Sequence, residues 1–396
     1  MLKIVPTKQV CLGMFIHELQ GPWLEHPFWR TGFKLEDPED LKKLQMSAVS
    51  AVVIDTAKGL DVNLEVTVDI NFVPVTKTKA KLSYFKLEHE RASQLISESK
   101  AIVITLFDDL RIGRALCAPT ALTLVDNIAT SLVRNSDTLI SLLRLKNKED
   151  YAYLHPIAVC ALMIVLAKQL GFLSDKIRQV GLAGLLHDIG KIVIDSEKLN
   201  RSDGLTEAKF SEVKFHPEIG HALLLKANIT DPVVLDVCLH HHEKVSGLGY
   251  PHQLKADAIS IFARMAAVCN MYDSISSNRP LKEGLQPGMA LQHMSQLEGQ
   301  FDDRIFRAFV RSIGIYPVGT MVKLKSGRLG VVVERGANSL LKPVIKIFYS
   351  THENTRIPAV LVDLGLTEEY DSIIGHAEPS DYTLGGIEEV LSFTYS

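Results

Sequence analysis

Apolar positions in the first 80 or so residues come in short runs rather than long stripes. Val10-Cys11-Leu12-Gly13-Met14-Phe15-Ile16 predicts a strand, and Ala51 to Asp55 predicts another. Between them, Asp37-Pro38-Glu39-Asp40 combines an N-cap, a proline at the first helical position and acidic residues in the first turn. A short helix near Leu41 to Leu44 is expected to follow. Val62, Leu64, Val66, Val68, Ile70 and Phe72 alternate strictly with polar residues, the period of a strand with one buried face. The aromatic stretch from Trp23 to Trp29, around His26, reads better as a packed loop than as a ligand surface.

From Tyr84 to about Ser99 the pattern turns helical and charged, with Lys86, Glu88, Glu90 and Arg91 at solvated positions. A second helical block runs from about Thr120 to Leu145, where Leu122, Val125, Ile128, Leu132 and Leu139 keep helix spacing. These helices either form a dimer seam or open the bundle that follows; the pattern leaves both readings standing. Lys146-Asn147-Lys148-Glu149-Asp150 reads as a polar hinge, and helical patterning then continues to about Ile315. Beyond Tyr316-Pro317 the composition turns to β: Val322, Leu324, Leu329, Val331 and Val333 flank a Ser326-Gly327 turn, and Pro343 to Tyr349 adds a strand. The expected fold is mainly α, a helical bundle preceded by a small α+β module and followed by a small β-rich appendix. Its parts are residues 1–80, a helical connector 81–145, the bundle 146–315 and the appendix 316–396.

At 396 residues the chain is long enough for two or three domains. A balance of 43 basic against 46 acidic side chains marks neither a polybasic nucleic-acid surface nor an acidic tail. Five scattered cysteines never form Cys-x-x-Cys and are expected to be buried, reduced thiols. The N-terminus lacks a signal-peptide core, and the longest apolar run, Ile157 to Ala167, is short of a bilayer span. The expectation is a soluble cytoplasmic protein with no membrane partner.

The histidines change this picture most. Eight of the 14 lie between His155 and His252, and the anchors His155, His187-Asp188, His216 and His240-His241-His242 are 25 to 32 residues apart. That is about one helix and its connections, so successive helices can each deliver an imidazole or carboxylate to one internal pocket. Such donors suit manganese, iron or zinc. No phosphate-binding glycine loop or Gly-x-Ser-x-Gly elbow is present. Lys191, at i+4 from His187, is expected to point into the same pocket. His240 should face away from it.

His187-Asp188-Ile189-Gly190-Lys191, His216-Pro217-Glu218-Ile219-Gly220, His241-His242-Glu243-Lys244 and Gly249-Tyr250-Pro251, in that order, resemble the HD-GYP family. Its members are bacterial metal-dependent phosphodiesterases that hydrolyse cyclic di-GMP. The resemblance covers roughly residues 140 to 315, and the first ~60 residues resemble the domain of unknown function that often precedes it. It implies two divalent ions, iron or manganese. His155, His187 and Asp188 would serve one ion, and His216, His241 and His242 the other, with Asp188 bridging. Asn270 occupies the position of the family's last metal ligand. The resemblance also implies Asp188 and Lys191 as catalytic groups. Lys191, Gly249, Tyr250, Asp273, Arg279 and Lys282 would contact a cyclic dinucleotide.

Three departures bear on activity. Asn270 stands where the family has aspartate, so the first ion loses a charged ligand. Tyr151 stands where three-metal members carry glutamate, which limits the expected count to two. Ser246 replaces the aspartate of the glycine loop. The expected function is hydrolysis of cyclic di-GMP to pGpG and onward to GMP. The alternatives are a phosphodiesterase for cyclic GMP-AMP and a cyclic-dinucleotide sensor whose catalysis has weakened.

Overall fold

The structure, a computed structural model, describes residues 2–20, 32–47, 49, 51–60, 79–146, 148–194, 213–279, 282–336, 339–366, 371–378 and 381–382. They fall into two compact units. One gathers Met1–Lys77, Pro287–Gln296 and Gly314–Ser396; the other holds Thr78–Gln286 and Leu297–Ile313.

The chain opens with β1 (Leu2–Pro6), β2 (Phe15–Gln20), β3 (Phe33–Lys34), α1 (Pro38–Met46) and β4 (Ala51–Asp55). The strands form an antiparallel sheet in the order β1-β4-β2-β3. Met14, Ile16, Leu35, Leu44, Val52 and Ile54 make its core. The Asp37 carboxylate caps α1 by accepting from the Glu39 amide, as its sequence predicts. The strand expected over Val10 to Ile16 is displaced: Val10 to Met14 turn, and pairing starts only at Phe15. Gly13 adopts φ +92°, which ends any extended run there. The alternating strand Val62 to Phe72 and the Trp23 to Trp29 stretch lie outside the described residues.

In the helical unit, α2 (Lys79–Arg111) and α3 (Ala118–Arg144) form a long antiparallel pair. Asn135 breaks α3 with φ −158°, and its side-chain oxygen accepts from the Thr138 amide to cap the second half. Central to the unit is α4 (Tyr151–Gln169), packed by α3, α5 (Ser174–Leu186), α8 (Ile261–Ser276) and α10 (Asp303–Ile313). With its one-turn lead-in, α4 spans Lys148–Gln169 and is long and apolar enough to cross a membrane, yet 78% of its apolar window is buried inside the unit. Contact on all sides explains why its apolar residues form no single stripe. Two shorter helices, α6 (His216–Lys226) and α7 (Pro232–His240), complete the wall around the histidines. The expected polar hinge is corrected at its first residue. Lys146 is buried, with its ammonium 2.6 Å from an Asp273 carboxylate oxygen.

Helix α9 (Pro287–Ser295) belongs to the first unit, and α10 closes the second, ending at Gly314 with φ +93° rather than at Tyr316-Pro317. The β region that follows is larger than expected. β5 (Met321–Leu324), β6 (Arg328–Glu334), β7 (Val344–Ser350), β8 (Thr355–Asp363) and β9 (Ile373–His376) form one antiparallel sheet in the order β8-β7-β6-β5-β9. The β5–β6 hairpin turns at Gly327, as the Ser-Gly pair predicts. Cys160, Cys238 and Cys269 are buried free thiols, but Cys11 and Cys117 are exposed.

Candidate metal centre

His155 stands near the start of α4, His187 caps the end of α5, and Asp188 leads into a 3₁₀ turn, Ile189–Val193. His216 opens α6, while His241 and His242 follow α7. Gly190 and Gly220 bring these pieces together. A Cβ on Gly190 would lie 1.9 Å from the His216 carbonyl oxygen and 2.7 Å from the Gly220 amide nitrogen. Main chain therefore rests on main chain, and α6 holds His216 against Asp188.

Two groups of ligand atoms result, each with all members within 4.8 Å of one another: His155, His187 and Asp188, and Asp188, His216, His241 and His242. Asp188 belongs to both. Its Oδ2 lies 3.4 Å from His155 Nε2 and 3.3 Å from His187 Nε2. Its Oδ1 lies 3.2 Å from His216 Nε2 and 3.4 Å from His241 Nε2. His155 Nε2, His187 Nε2, His242 Nε2 and Asp188 Oδ1 are buried without a hydrogen-bond partner. Such atoms are rarely left so in a folded protein. The rear nitrogens are occupied. His187 Nδ1 donates to the Gly184 carbonyl at 2.8 Å, His216 Nδ1 to Val213 at 2.6 Å, and His241 Nδ1 to Cys238 at 3.0 Å. Donation at Nδ1 leaves the lone pair on the inward Nε2, the tautomer a metal requires.

Protonation points the same way. Burial alone would raise the Asp188 pKa, but His187 and Lys191 beside it hold the carboxyl well below its usual range. Burial lowers His216, drives His241 down to about 3, and with His241 and His216 nearby holds His242 well below its ordinary value. An ionised Asp188 beside neutral His216, His241 and His242 at neutral pH fits a divalent ion.

Lys191 reaches the pocket by a route other than helix spacing. The helix stops at His187, and the 3₁₀ turn places Lys191 Nζ 2.6 Å from Asp188 Oδ2. Tyr250 stacks on His242 at 4.7 Å between ring centroids, and its loop is fastened by Glu243. That buried carboxylate accepts from the amides of His252 at 2.7 Å and Leu254 at 3.1 Å. Gly249 packs main chain on main chain, since a Cβ there would lie 2.4 Å from the Lys244 amide nitrogen. Ser246 Oγ accepts from the Leu248 amide at 3.4 Å within the loop, and the Ser246 amide donates to the Gly299 carbonyl at 2.9 Å outside it. His240 faces elsewhere, bonded to Asp236 at 2.8 Å and His252 at 3.1 Å.

Asn270 is buried on α8 and its Oδ1 accepts from Ser274 Oγ at 3.4 Å. Asp273, expected among the substrate contacts, lies instead behind His155. Its Oδ2 is 2.6 Å from His155 Nδ1, and its Oδ1 takes Lys146 and, at 3.1 Å, Ser277. Both oxygens are thereby committed inside the protein. Tyr151 stacks on His155 at 5.0 Å, with the Arg279 guanidinium 5.8 Å from its ring centre. Arg279 and Lys282 are joined by reciprocal main-chain bonds. Sequence reasoning missed Lys146 and Glu243. Lys146 sits in a charged stretch and Glu243 beside Lys244, and neither setting gives a sign of burial.

A buried histidine–aspartate cluster on a helical bundle defines an HD-domain protein, and residues 132–305 match the HD domain model. Residues 2–119 match a domain of unknown function, DUF3391. A cyclic di-GMP phosphodiesterase of Pseudomonas aeruginosa is 45% identical over 395 residues, covering 98% of this chain and 95% of its own. The chain thus belongs to the HD-GYP family of HD-domain phosphodiesterases, in the form that carries this N-terminal domain. A 3'3'-cGAMP-specific phosphodiesterase of Vibrio cholerae is 29% identical over 172 residues, 43% of this chain and 37% of its own. A solved HD-GYP-type protein of Bdellovibrio bacteriovorus superposes over 78% of this chain and 98% of its own, with 16% identity and a TM-score of 0.47.

Proposed function

We propose that this enzyme hydrolyses cyclic di-GMP to pGpG, and onward to GMP, with two iron or manganese ions held across Asp188. The observation that carries the reading is the membership of Asp188 in both ligand groups. His155 and His187 would complete one ion's ligands, with the Asn270 amide oxygen beside them; His216, His241 and His242 would complete the other's. Bound divalent ions supply Lewis acidity, generating a nucleophile from water at neutral pH and offsetting phosphate charge. Water then adds at phosphorus as the bond to the 3′ oxygen breaks, leaving a 5′ phosphate and a 3′ hydroxyl.

Lys191 would donate a proton or a charged hydrogen bond to that departing oxygen; its ammonium, 2.6 Å from Asp188 Oδ2, supports the reading. Tyr250, backed by His242 on one face, would stack on a guanine base, with the Lys214 ammonium 5.8 Å from its ring centre. Arg279 and Lys282 would meet the second phosphate. Residues 1–80 would act as a regulatory module on the 146–315 catalytic bundle, in the cytoplasm where cyclic dinucleotides are made.

Asn270 favours a second reading, a sensor that binds the dinucleotide without turnover. Turnover by protein loaded anaerobically with Fe(II) or Mn(II), beside an Asn270→Asp variant, separates the two. Formation of pGpG by the natural protein upholds the enzyme. Turnover by the aspartate variant alone upholds the sensor. Faster hydrolysis of cyclic GMP-AMP would reassign the substrate.

A further inference from the structure

Lys146 is among the most deeply buried charges described in the chain, with a fully covered side chain. Its ammonium bonds the Leu143 carbonyl at 2.9 Å and Asp273 Oδ1 at 2.6 Å, and sits 5.6 Å from the centre of the Tyr151 ring. Two of these partners, Asp273 and Tyr151, also lie against His155. The other oxygen of Asp273 is 2.6 Å from His155 Nδ1, closer than the Tyr151 hydroxyl at 3.3 Å. A line of contacts therefore runs from Lys146 through Asp273 and His155 to Asp188.

This arrangement differs from the rest of the pocket. His187, His216 and His241 rest their rear nitrogens on neutral carbonyls, whereas His155 rests on a carboxylate. A carboxylate behind a ligating imidazole fixes its tautomer and makes it a more basic ligand. Well-packed apolar residues generally replace a buried ion pair without loss of stability, so packing alone gives little reason for the lysine.

We propose that Lys146 is a positioning residue for the first metal ion. Its bond to Asp273 Oδ1 fixes that side chain with Oδ2 against His155 Nδ1, so that His155 carries toward the ion part of the negative charge that Asn270 does not provide. This inference rests on the metal reading above.

Two variants test it, Lys146→Met and the double variant Lys146→Met/Asp273→Asn, which leaves no buried charge unpaired. The measurement is anaerobic Mn(II) titration against a competing chelator, with circular dichroism as the control for folding. One of the two ions is expected to bind about 10–100-fold more weakly in each folded variant while the other keeps its affinity. Turnover should recover with excess Mn(II) at unchanged KM. If Lys146→Met fails to fold, the double variant carries the test. Natural affinity for both ions in the double variant, or equal loss of both, would overturn the proposal. Failure of the unsubstituted protein to bind two ions would instead overturn the metal reading, and that shows before any substitution is made.

Discussion

The two halves of the pocket share Asp188 but are backed by different chemistry. On the His155 side the support is ionic: Asp273 and Lys146 stand behind one imidazole, and Tyr151 covers it. On the His216 and His241 side the support is neutral, from main-chain carbonyls, and the cover is the Tyr250 loop fastened by Glu243. In the proposed ligand set, the ionic half is also the one served by the uncharged Asn270. The difference teaches that charge around a metal pocket can be provided one shell further out, provided that burial keeps water from screening it.

The harshest way to break the comparison is to remove what the halves share. Asp188→Ala should lower turnover by about three orders of magnitude or more while circular dichroism stays native, since both ions lose a ligand. Unchanged turnover would end the mechanism. Lys191→Ala leaves both ligand groups intact and should cost roughly 10²- to 10³-fold in kcat, read at saturating metal. A matching fall in metal occupancy would show that Lys191 supports Asp188 instead of the departing oxygen. Asn270→Asp sharpens the contrast: one ion should bind about tenfold more tightly, an effect of ~1.4 kcal/mol. Chelator competition would register it, and tightening of both ions alike would contradict the division.

The smallest effect belongs to a histidine with no metal reading. His376 on β9 is partly buried, its Nδ1 lacks a hydrogen bond, and its loss of water lowers its pKa to about 4. A lowered histidine pKa means that the unfolded chain takes up the proton first as pH falls from 6.5. Stability is then fully present above about 6.5 and declines toward pH 4. His376→Gln should flatten that decline in Tm, and an unchanged slope would assign the acid sensitivity to other groups.

Much of this was legible along the chain because its signals are local. Asp37-Pro38 announced a helix start, Ser326-Gly327 a hairpin, and the spacing of the histidine anchors a shared pocket. What stayed hidden was long-range. Lys146 meets Asp273 across 127 positions, so its burial is decided by the packing of α3, α4 and α8 and not by its charged neighbours in sequence. The role of Asp273 was misread for the same reason, because proximity in the motif says nothing about which side of His155 it occupies. Lys191 reached its expected place, but through a 3₁₀ turn that helix spacing does not describe. Gly13 illustrates a simpler miss, a positive φ inside an apolar run that otherwise reads as extended.

The contact between Gly190 and Gly220 works as a hard stop. A pocket whose width depended on touching side chains would widen and narrow as their rotamers exchanged. Here two segments of main chain meet with no side chain between them, so the spacing of His216 from Asp188 has almost no slack. A single added methyl at Gly190 would act as a wedge, opening the second half of the pocket while leaving the first where it is.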